Sequence, residues 1–143
     1  MKAPDIVLDT NVIIAALRSR HGASNKLLSL VGTKNFEVHD SVALILEYED
    51  VILRHRTDLG LSQQNVADFI DGLCSMSQHH NIYFLWRPTL SDANDELVLE
   101  LAVTAGCEYI VTHNVSDFKN IDQFGIQAIT PGAFLAVINE VKK

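Results

Sequence analysis

The 143-residue chain is 48% hydrophobic and 20% charged, with a formal net charge of −7. That composition excludes a disordered chain, and no apolar run approaches the roughly 18 residues of a membrane span. The negative balance argues against broad electrostatic attraction to nucleic acid, which needs a basic surface.

The length fits one domain with a sizeable core, residues 1–143. The first strand starts a few residues after Met1, which predicts no signal peptide. Cys74 and Cys107 make no CxxC and stand in apolar surroundings, so they read as buried thiols of a reducing cytoplasm.

Ile6–Leu8 shows no polar alternation and reads as a strand buried on both faces, the habit of a parallel sheet. Thr10–Leu17 follows as a helix. Gly22-Ala23-Ser24 breaks the chain, and Ser24 is placed to cap a short helix through Val31. Phe36–His39 is a second strand. Asp40 or Ser41 caps a helix from Val42 to about Leu53. Ser62 opens a helix expected to reach about His79, so that His79-His80 reads as a helix C-terminus. Ile82–Trp86 is the next expected strand, and Pro88–Asp92 a loop. A helix then spans about Ala93 to Ala105, with Gly106 in the C-cap position. Tyr109–Thr112 is a strand, Asn114–Asn120 a loop or short turn, and Gln127–Ile129 a last strand. Thr130-Pro131 opens a terminal helix to about Val141.

Strands alternating with helices predict an α/β fold, a central parallel sheet flanked by helices and joined by right-handed crossovers. In such a sheet the strand-to-helix junctions share one edge, where ligands bind. Acidic residues at those junctions become neighbours whatever their sequence separation.

Four regions put acids there. Asp9 ends the first strand, with Thr10 and Asn11 behind it. Taken alone, Asp9 or Thr10 is equally a helix cap. Glu47 borders the apolar arc of Leu44, Ile45, Tyr48, Val51 and Ile52, whereas Glu49 and Asp50 turn toward solvent. Asp92 and Asp95 flank a helix start. Asp95 shares a face with Leu99 and Ala102 and is assigned to the site, and Asp92 to a capping or supporting role. Thr112 ends a strand, and Asn114 and Asp117 can both turn back toward the edge. Several carboxylates so close cannot all ionise without a cation. Oxygen-only ligands select a hard ion, Mg²⁺ or Mn²⁺. The six histidines lack HxxxH and HExxH spacing, which sets zinc aside. GxGxxG, GxxxxGK[ST] and GxSxG are missing, so dinucleotide, P-loop and serine-hydrolase readings lack their residues.

The order of these motifs resembles the PIN-domain proteins, close to the VapC-type ribonuclease toxins. Leu8-Asp9-Thr10-Asn11-Val12 is similar to the opening DTN motif of that family. Ser41 through Leu44 to Glu47-Tyr48 is similar to its second acidic helix, and Asp92-Ala93-Asn94-Asp95-Glu96 to the third acidic motif. Tyr109-Ile110-Val111-Thr112 with Asn114 and Asp117-Phe118 resembles the fourth. The resemblance implies a PIN-like fold, Mg²⁺- or Mn²⁺-dependent endoribonuclease activity on single-stranded RNA, homodimers and a protein antitoxin. Many PIN proteins have Asp where this chain has Asn114, and Asp117 is the alternative fourth carboxylate. On this reading Asp9, Glu47, Asp95 and Asp117 form the metal and catalytic set. Thr10, Asn11, Asp92, Thr112 and Asn114 support it. Arg18 and Arg20 are candidates for holding the RNA backbone.

Two rivals stand beside it. One is a catalytically idle PIN-like module that only binds a partner. The other is a haloacid-dehalogenase-type phosphatase, which needs a second Asp where this chain has Asn11 and wants its acidic pair after Thr112 rather than before it.

Overall fold

The computed structural model describes residues 3–82, 90 and 92–141. Its five-stranded sheet is parallel throughout, in the order β3-β2-β1-β4-β5. The strands are β1 (Asp5–Leu8), β2 (Glu37–Ser41), β3 (Gln78–His80), β4 (Tyr109–Val111) and β5 (Gln127–Ile129). The helices are α1 (Thr10–Arg18), α2 (Ala23–Ser29), α3 (Val42–Arg54), α4 (Arg56–Leu59), α5 (Gln63–Ser75), α6 (Ala93–Ala105) and α7 (Pro131–Val141). The fold is the expected α/β one: a central parallel sheet flanked by helices.

The centre of the sheet is β1, paired on both sides, and Ile6, Val7 and Leu8 are fully buried. Their unbroken apolar run is what a strand covered on both faces requires. Each such side chain contributes about 1.5–3 kcal/mol when fully buried. One helical layer is α6, which lies across β1 to β4 through Val98, Leu99, Leu101 and Ala102. The other helices form a continuous layer in which α7 packs on α2, α2 on α1, α1 on α3 and α3 on α5. Phe134 of α7 meets Phe36 and Tyr109 edge-on, at 5.6 and 5.4 Å between ring centroids. Among the described residues no helix is long and apolar enough to cross a membrane.

Local chemistry sets the helix ends. Ser41, not Asp40, caps α3, its side chain accepting from Leu44 N–H at 3.2 Å. Ser62 and Asn65 form a reciprocal capping box at α5. Gly106 takes the left-handed conformation (φ 68°) that ends α6.

Several expectations need correction. The α5 helix stops at Ser75, and His79-His80 belongs to β3 rather than to a helix C-terminus. Glycine-free Ser75–Gln78 offers no strong stop signal, but pairing with β2 satisfies backbone groups along one side of residues 78–80. The expected strand Ile82–Trp86 falls, after Ile82, outside the described residues, as does most of Pro88–Asp92. Ile82 itself is not in a strand. The second strand runs Glu37–Ser41, starting one residue and ending two residues later than expected. Ser24 does not cap α2: Gly22 holds that position, and Ser24 is buried inside the first turn. Cys107 is buried as expected, but Cys74 is only half-buried.

Candidate active site

The parallel register of β1 and β4 pairs Ile6 with Tyr109, Val7 with Ile110 and Leu8 with Val111. Asp9 and Thr112, each one residue further, therefore arrive level at the sheet edge. Thr112 Oγ1 donates to Asp9 Oδ2 at 2.8 Å. Asp9 Oδ1 accepts from Thr10 N–H at 2.8 Å, so Asp9 also serves as the N-cap of α1. The capping role and the site role thus fall on one carboxylate, each using a different oxygen.

Fully buried Thr112 is the hub of this edge. Its hydroxyl accepts from Asn114 N–H at 3.0 Å and from Asn11 Nδ2 at 3.3 Å while donating to Asp9. Asn11 Oδ1 in turn accepts from His113 N–H at 3.2 Å. Asn11 is therefore engaged with the β4 end through both its amide atoms.

Glu47 comes in from α3. Thr10 Oγ1 donates to Glu47 Oε2 at 2.5 Å, which ties the second acid to the residue after the first. The helix is pinned by its neighbour Tyr48, which is fully buried and whose hydroxyl donates to the Leu8 carbonyl. Burial first, then the charges of Asp9, Asp40 and Glu47, push the Tyr48 phenol well above its ordinary range.

The third acid stands in the first turn of α6. Asp92 is the N-cap, accepting from Asn94 N–H at 2.8 Å and Asp95 N–H at 3.4 Å. Asp95 is left without that duty. Burial and then the charges of Asp9, Asp92, Asp117 and Glu47 push its carboxyl up to about 6. Asp9 is raised too, by burial most of all. The Thr112 and Thr10 hydrogen bonds oppose that rise, and the charges of Glu47 and Asp117 add to it. Asp117 is the exposed last residue of a 3₁₀ turn, Val115–Asp117. It belongs to the shared field of Asp9 and Asp95. Asn114 contributes its backbone N–H.

The fold thus brings Asp9, Glu47, Asp95 and Asp117 into one electrostatic neighbourhood, with Thr10, Asn11, Thr112 and Asn114 around Asp9 and Asp92 capping beside Asp95. It does not bring Arg18 and Arg20 there. Nine-residue α1 starts at Thr10 and carries Arg18 to its far end, about 12 Å along the axis. A cavity of about 590 Å³ beside β5 and the Val115–Phe118 turn has none of the four acids in its lining.

The donor chemistry is carboxylate and amide oxygen, which fits a hard divalent cation and not a soft one. Among the described residues no three His, Cys, Asp or Glu side chains already converge tightly enough to hold an ion. The acids sense one another's charge, and gripping an ion requires half-buried Glu47 and Asp95 and exposed Asp117 to turn toward Asp9.

Sequence reasoning assigned no role to two links of this edge. Ser24 Oγ and His113 Nε2 lie 2.8 Å apart, fastening α2 to the segment after β4. Tyr48 was read only as core. A tyrosine one residue from a site acid was the available signal, since a buried phenol needs a partner.

Two solved structures are similar to this chain. One is VapBC2 from Rickettsia felis bound to a DNA fragment from their promoter. It has a TM-score of 0.61 and 16% identity, covering 88% of this chain and 98% of that one. The other is VapBC-1 from nontypeable Haemophilus influenzae, with a TM-score of 0.59 and 17% identity, covering 90% of this chain and 98% of that one. At such identities the likeness speaks for the fold alone. No curated protein matches the chain by sequence. The family description "PIN domain" matches residues 5–116, a span that holds Asp9, Glu47, Asp95 and Thr112 and stops one residue short of Asp117. With that match over most of its length, the chain belongs to the PIN domain family.

Proposed function

We propose that this protein is a Mg²⁺- or Mn²⁺-dependent endoribonuclease acting on single-stranded RNA, the toxin of a toxin–antitoxin pair. The observation that carries the reading is the gathering of four acids at one sheet edge, where burial first and then the charges of Asp9, Asp92, Asp117 and Glu47 push Asp95 up to about 6. A carboxylate crowd of that kind costs stability unless a cation offsets it.

Asp9 and Asp95 would hold the ion, and Glu47 and Asp117 would complete the pocket. A divalent ion bound there supplies positive charge to the scissile phosphate and makes water a better nucleophile at neutral pH. Thr112 and Thr10 fix both Asp9 oxygens, so that carboxylate cannot rotate freely. Glu47, held by the Thr10 hydroxyl, would orient the attacking water and accept its proton. The open edge suits a polymer better than an enclosed pocket would. Arg18 and Arg20, exposed at the far end of α1, would meet RNA beyond the cleaved bond.

The antitoxin and a homodimer are proposed from family membership and from the likeness to two VapBC structures. The phosphatase alternative loses ground because Asn11, standing where that chemistry needs an acid, is bonded to Thr112 and His113.

The test is cleavage of single-stranded RNA by the purified protein with Mg²⁺ or Mn²⁺, with and without EDTA. Asp9→Asn and Asp95→Asn should each abolish metal-dependent cutting with circular dichroism unchanged. Asp58→Asn, in α4, should cut normally. Near-wild-type cutting by Asp9→Asn would overturn the assignment. Turnover of a small phosphate ester in place of RNA would favour the phosphatase, and neither activity the idle module.

A further inference from the structure

A second set of titratable side chains links β1, β2 and β3, separate from the four acids. His39 Nε2 lies 2.8 Å from Asp5 Oδ1, and His39 Nδ1 lies 2.7 Å from His80 Nε2. The two rings are 4.9 Å apart between centroids and tilted by 32°. Beside them His79 Nδ1 lies 2.5 Å from Asp40 Oδ1. The register that pairs Asp40 with His79 and Ser41 with His80 sets both contacts.

β3 is an edge strand of three residues, Gln78-His79-His80, two of them exposed and none apolar. Burial of apolar surface therefore does little to hold it. Its backbone ladder with β2 and the two histidine contacts do. We propose that Asp5, His39 and His80, with Asp40 and His79 beside them, form an acid-released clasp: it fixes β3 on the sheet near neutral pH and frees it in mild acid.

The argument starts from proton counting. An ionised Asp5 only accepts, so His39 Nε2 carries a hydrogen. The His39–His80 contact then needs a single proton between Nδ1 and Nε2. With both rings neutral, His80 Nε2–H donates to His39 Nδ1. With one proton added, one hydrogen still lies between the two nitrogens and Asp5 stands beside the pair. With a second proton added, two N–H groups face each other at 2.7 Å and the contact cannot survive.

Burial, and next the neighbouring His39, lower His80 from its ordinary 6.5, whereas Asp40 pulls the other way. For a base the sign is clear: the neutral form belongs to the fold. The penalty starts as pH falls through 6.5 and is complete below the folded value. Asp40 is only 2% exposed at its side chain, and among the described residues its Oδ2 has no hydrogen-bond partner. Burial raises it against the pull of His79, so it takes a proton in milder acid than an ordinary aspartate. That relieves Asp40's own desolvation but removes the charge from its bond to His79. By linkage a raised acid favours the fold as pH falls, so Asp40 opposes the loss that His80 carries, and the His39–His80 contact is the acid-sensitive link.

Other titratable groups surround the cluster. Tyr48 of α3 and Cys74 of α5 sense Asp40, and both are raised by burial. Burial first, then the charges of Asp5 and Glu108, push Cys107 up to about 12, so none of these three titrates in mild acid. On α6, which packs on β2 and β3, Glu96 accepts from Leu90 N–H, and Glu100 has a buried carboxylate oxygen. Exposed Glu37 begins β2. Because α6 packs on β3 and carries Asp95 in its first turn, freeing β3 removes part of the surface that seats that helix. The clasp stands on its own geometry, whatever reaction the acidic edge performs.

The test is amide hydrogen exchange of the full chain, corrected for intrinsic rates, at about pH 7.5 and about pH 5. Residues 39–41 and 78–80 are compared with 109–111 of β4. In acid the wild type should lose protection at β3 several-fold, with β4 unchanged. His80→Gln keeps a donor for His39 Nδ1 but cannot titrate, and it should stay flat. His55→Gln, at the end of α3, should behave as the wild type. Equal protection at both pH values in the wild type, or acid loss persisting in His80→Gln, would overturn the clasp. If His80→Gln fails to fold, ring titration of the wild type by NMR decides. His80 should titrate below 6.5, and a His80 ring that titrates at or above 6.5 would overturn the proposal.

Discussion

Thr112 Oγ1 and Asp9 Oδ2 are 2.8 Å apart and 103 residues apart in sequence. The hydroxyl has no freedom to point elsewhere, because Asn11 Nδ2 and Asn114 N–H both donate to it. Its one proton must go to Asp9. The orientation of the first acid is thus set by the end of a neighbouring strand.

Replacing Thr112 by Val keeps the shape and removes that proton. Asp9 Oδ2 and two donors then lose their partner in a buried place, a cost of about 1–3 kcal/mol in unfolding experiments. Metal affinity or cleavage should fall by about 10–100-fold, and Thr112→Ser should restore most of both. Isothermal titration with Mn²⁺ and a cleavage assay measure the two effects. A Thr112→Val protein that binds and cuts like the wild type would show that the hydroxyl serves only packing.

Asp95 supports a prediction that needs no substrate. Its folded value of about 6 lies above the ordinary 3.8, so the ionised form is disfavoured by the fold. For an acid the penalty is absent below about 3.8, grows between 3.8 and 6, and is complete above 6. Asp95→Asn removes it. In EDTA the variant should melt higher than the wild type at pH 7.5, with the gap closing as pH falls toward 4. The wild type should gain about 2.7 kcal/mol from a divalent ion at a hundred times its Kd, and the variant should lose most of that gain. A variant that is less stable in EDTA and keeps the full metal increment would make Asp95 a helix-end residue and no ligand.

Asp117 and Asn114 are separable by titration. Asp117 raises Asp95, so Asp117→Asn should lower the Asp95 value from about 6. Asn114 bonds to Thr112 through its backbone, so Asn114→Ala should leave Asp95 where it is. Carbon-detected NMR of the Asp95 carboxyl follows both. The opposite ranking would assign the fourth position to Asn114.

Tyr48→Phe conserves volume and deletes the donor to the Leu8 carbonyl. Leaving that buried acceptor short of its partner should lower stability by about 1–3 kcal/mol. Because the same bond holds α3 against the end of β1, metal affinity should drop with it. Denaturant unfolding and metal titration are the measurements, and an unchanged metal affinity would confine Tyr48 to stability.

Arg18 and Arg20 are exposed at and beyond the end of α1. If they contact RNA, replacing both with Ala should weaken binding and flatten its salt dependence by about 0.7 per lost phosphate contact on a single strand. An unchanged slope would make them ordinary helix-end charges.

Much of the fold was legible because its signals are local. The unbroken run Ile6–Leu8, the Ser62 cap, Gly106 after α6 and Thr130-Pro131 before α7 each act within a few residues, and the ends they mark stand where expected, although α5 stops at Ser75, short of His79. The topological argument that collects junction residues on one edge is also a sequence-level argument. It named Asp9, Glu47, Asp95 and Asp117, which do share a field. β3 was misread because Gln78-His79-His80 has neither apolar alternation nor β-branched residues, so nothing local marks it as a strand.

The sequence by itself therefore determined the α/β alternation, the apolar centre of the sheet and the residues able to meet at its edge, because periodicity and capping are properties of neighbouring residues. Only the tertiary structure decided who bonds to whom. Thr112 rather than Asn11 grips Asp9, Ser24 turns inward to His113, and His39 joins Asp5 to His80. Those pairings depend on strand order and register, which bring side chains within 3 Å across dozens of residues, and no local pattern encodes a distance of that kind.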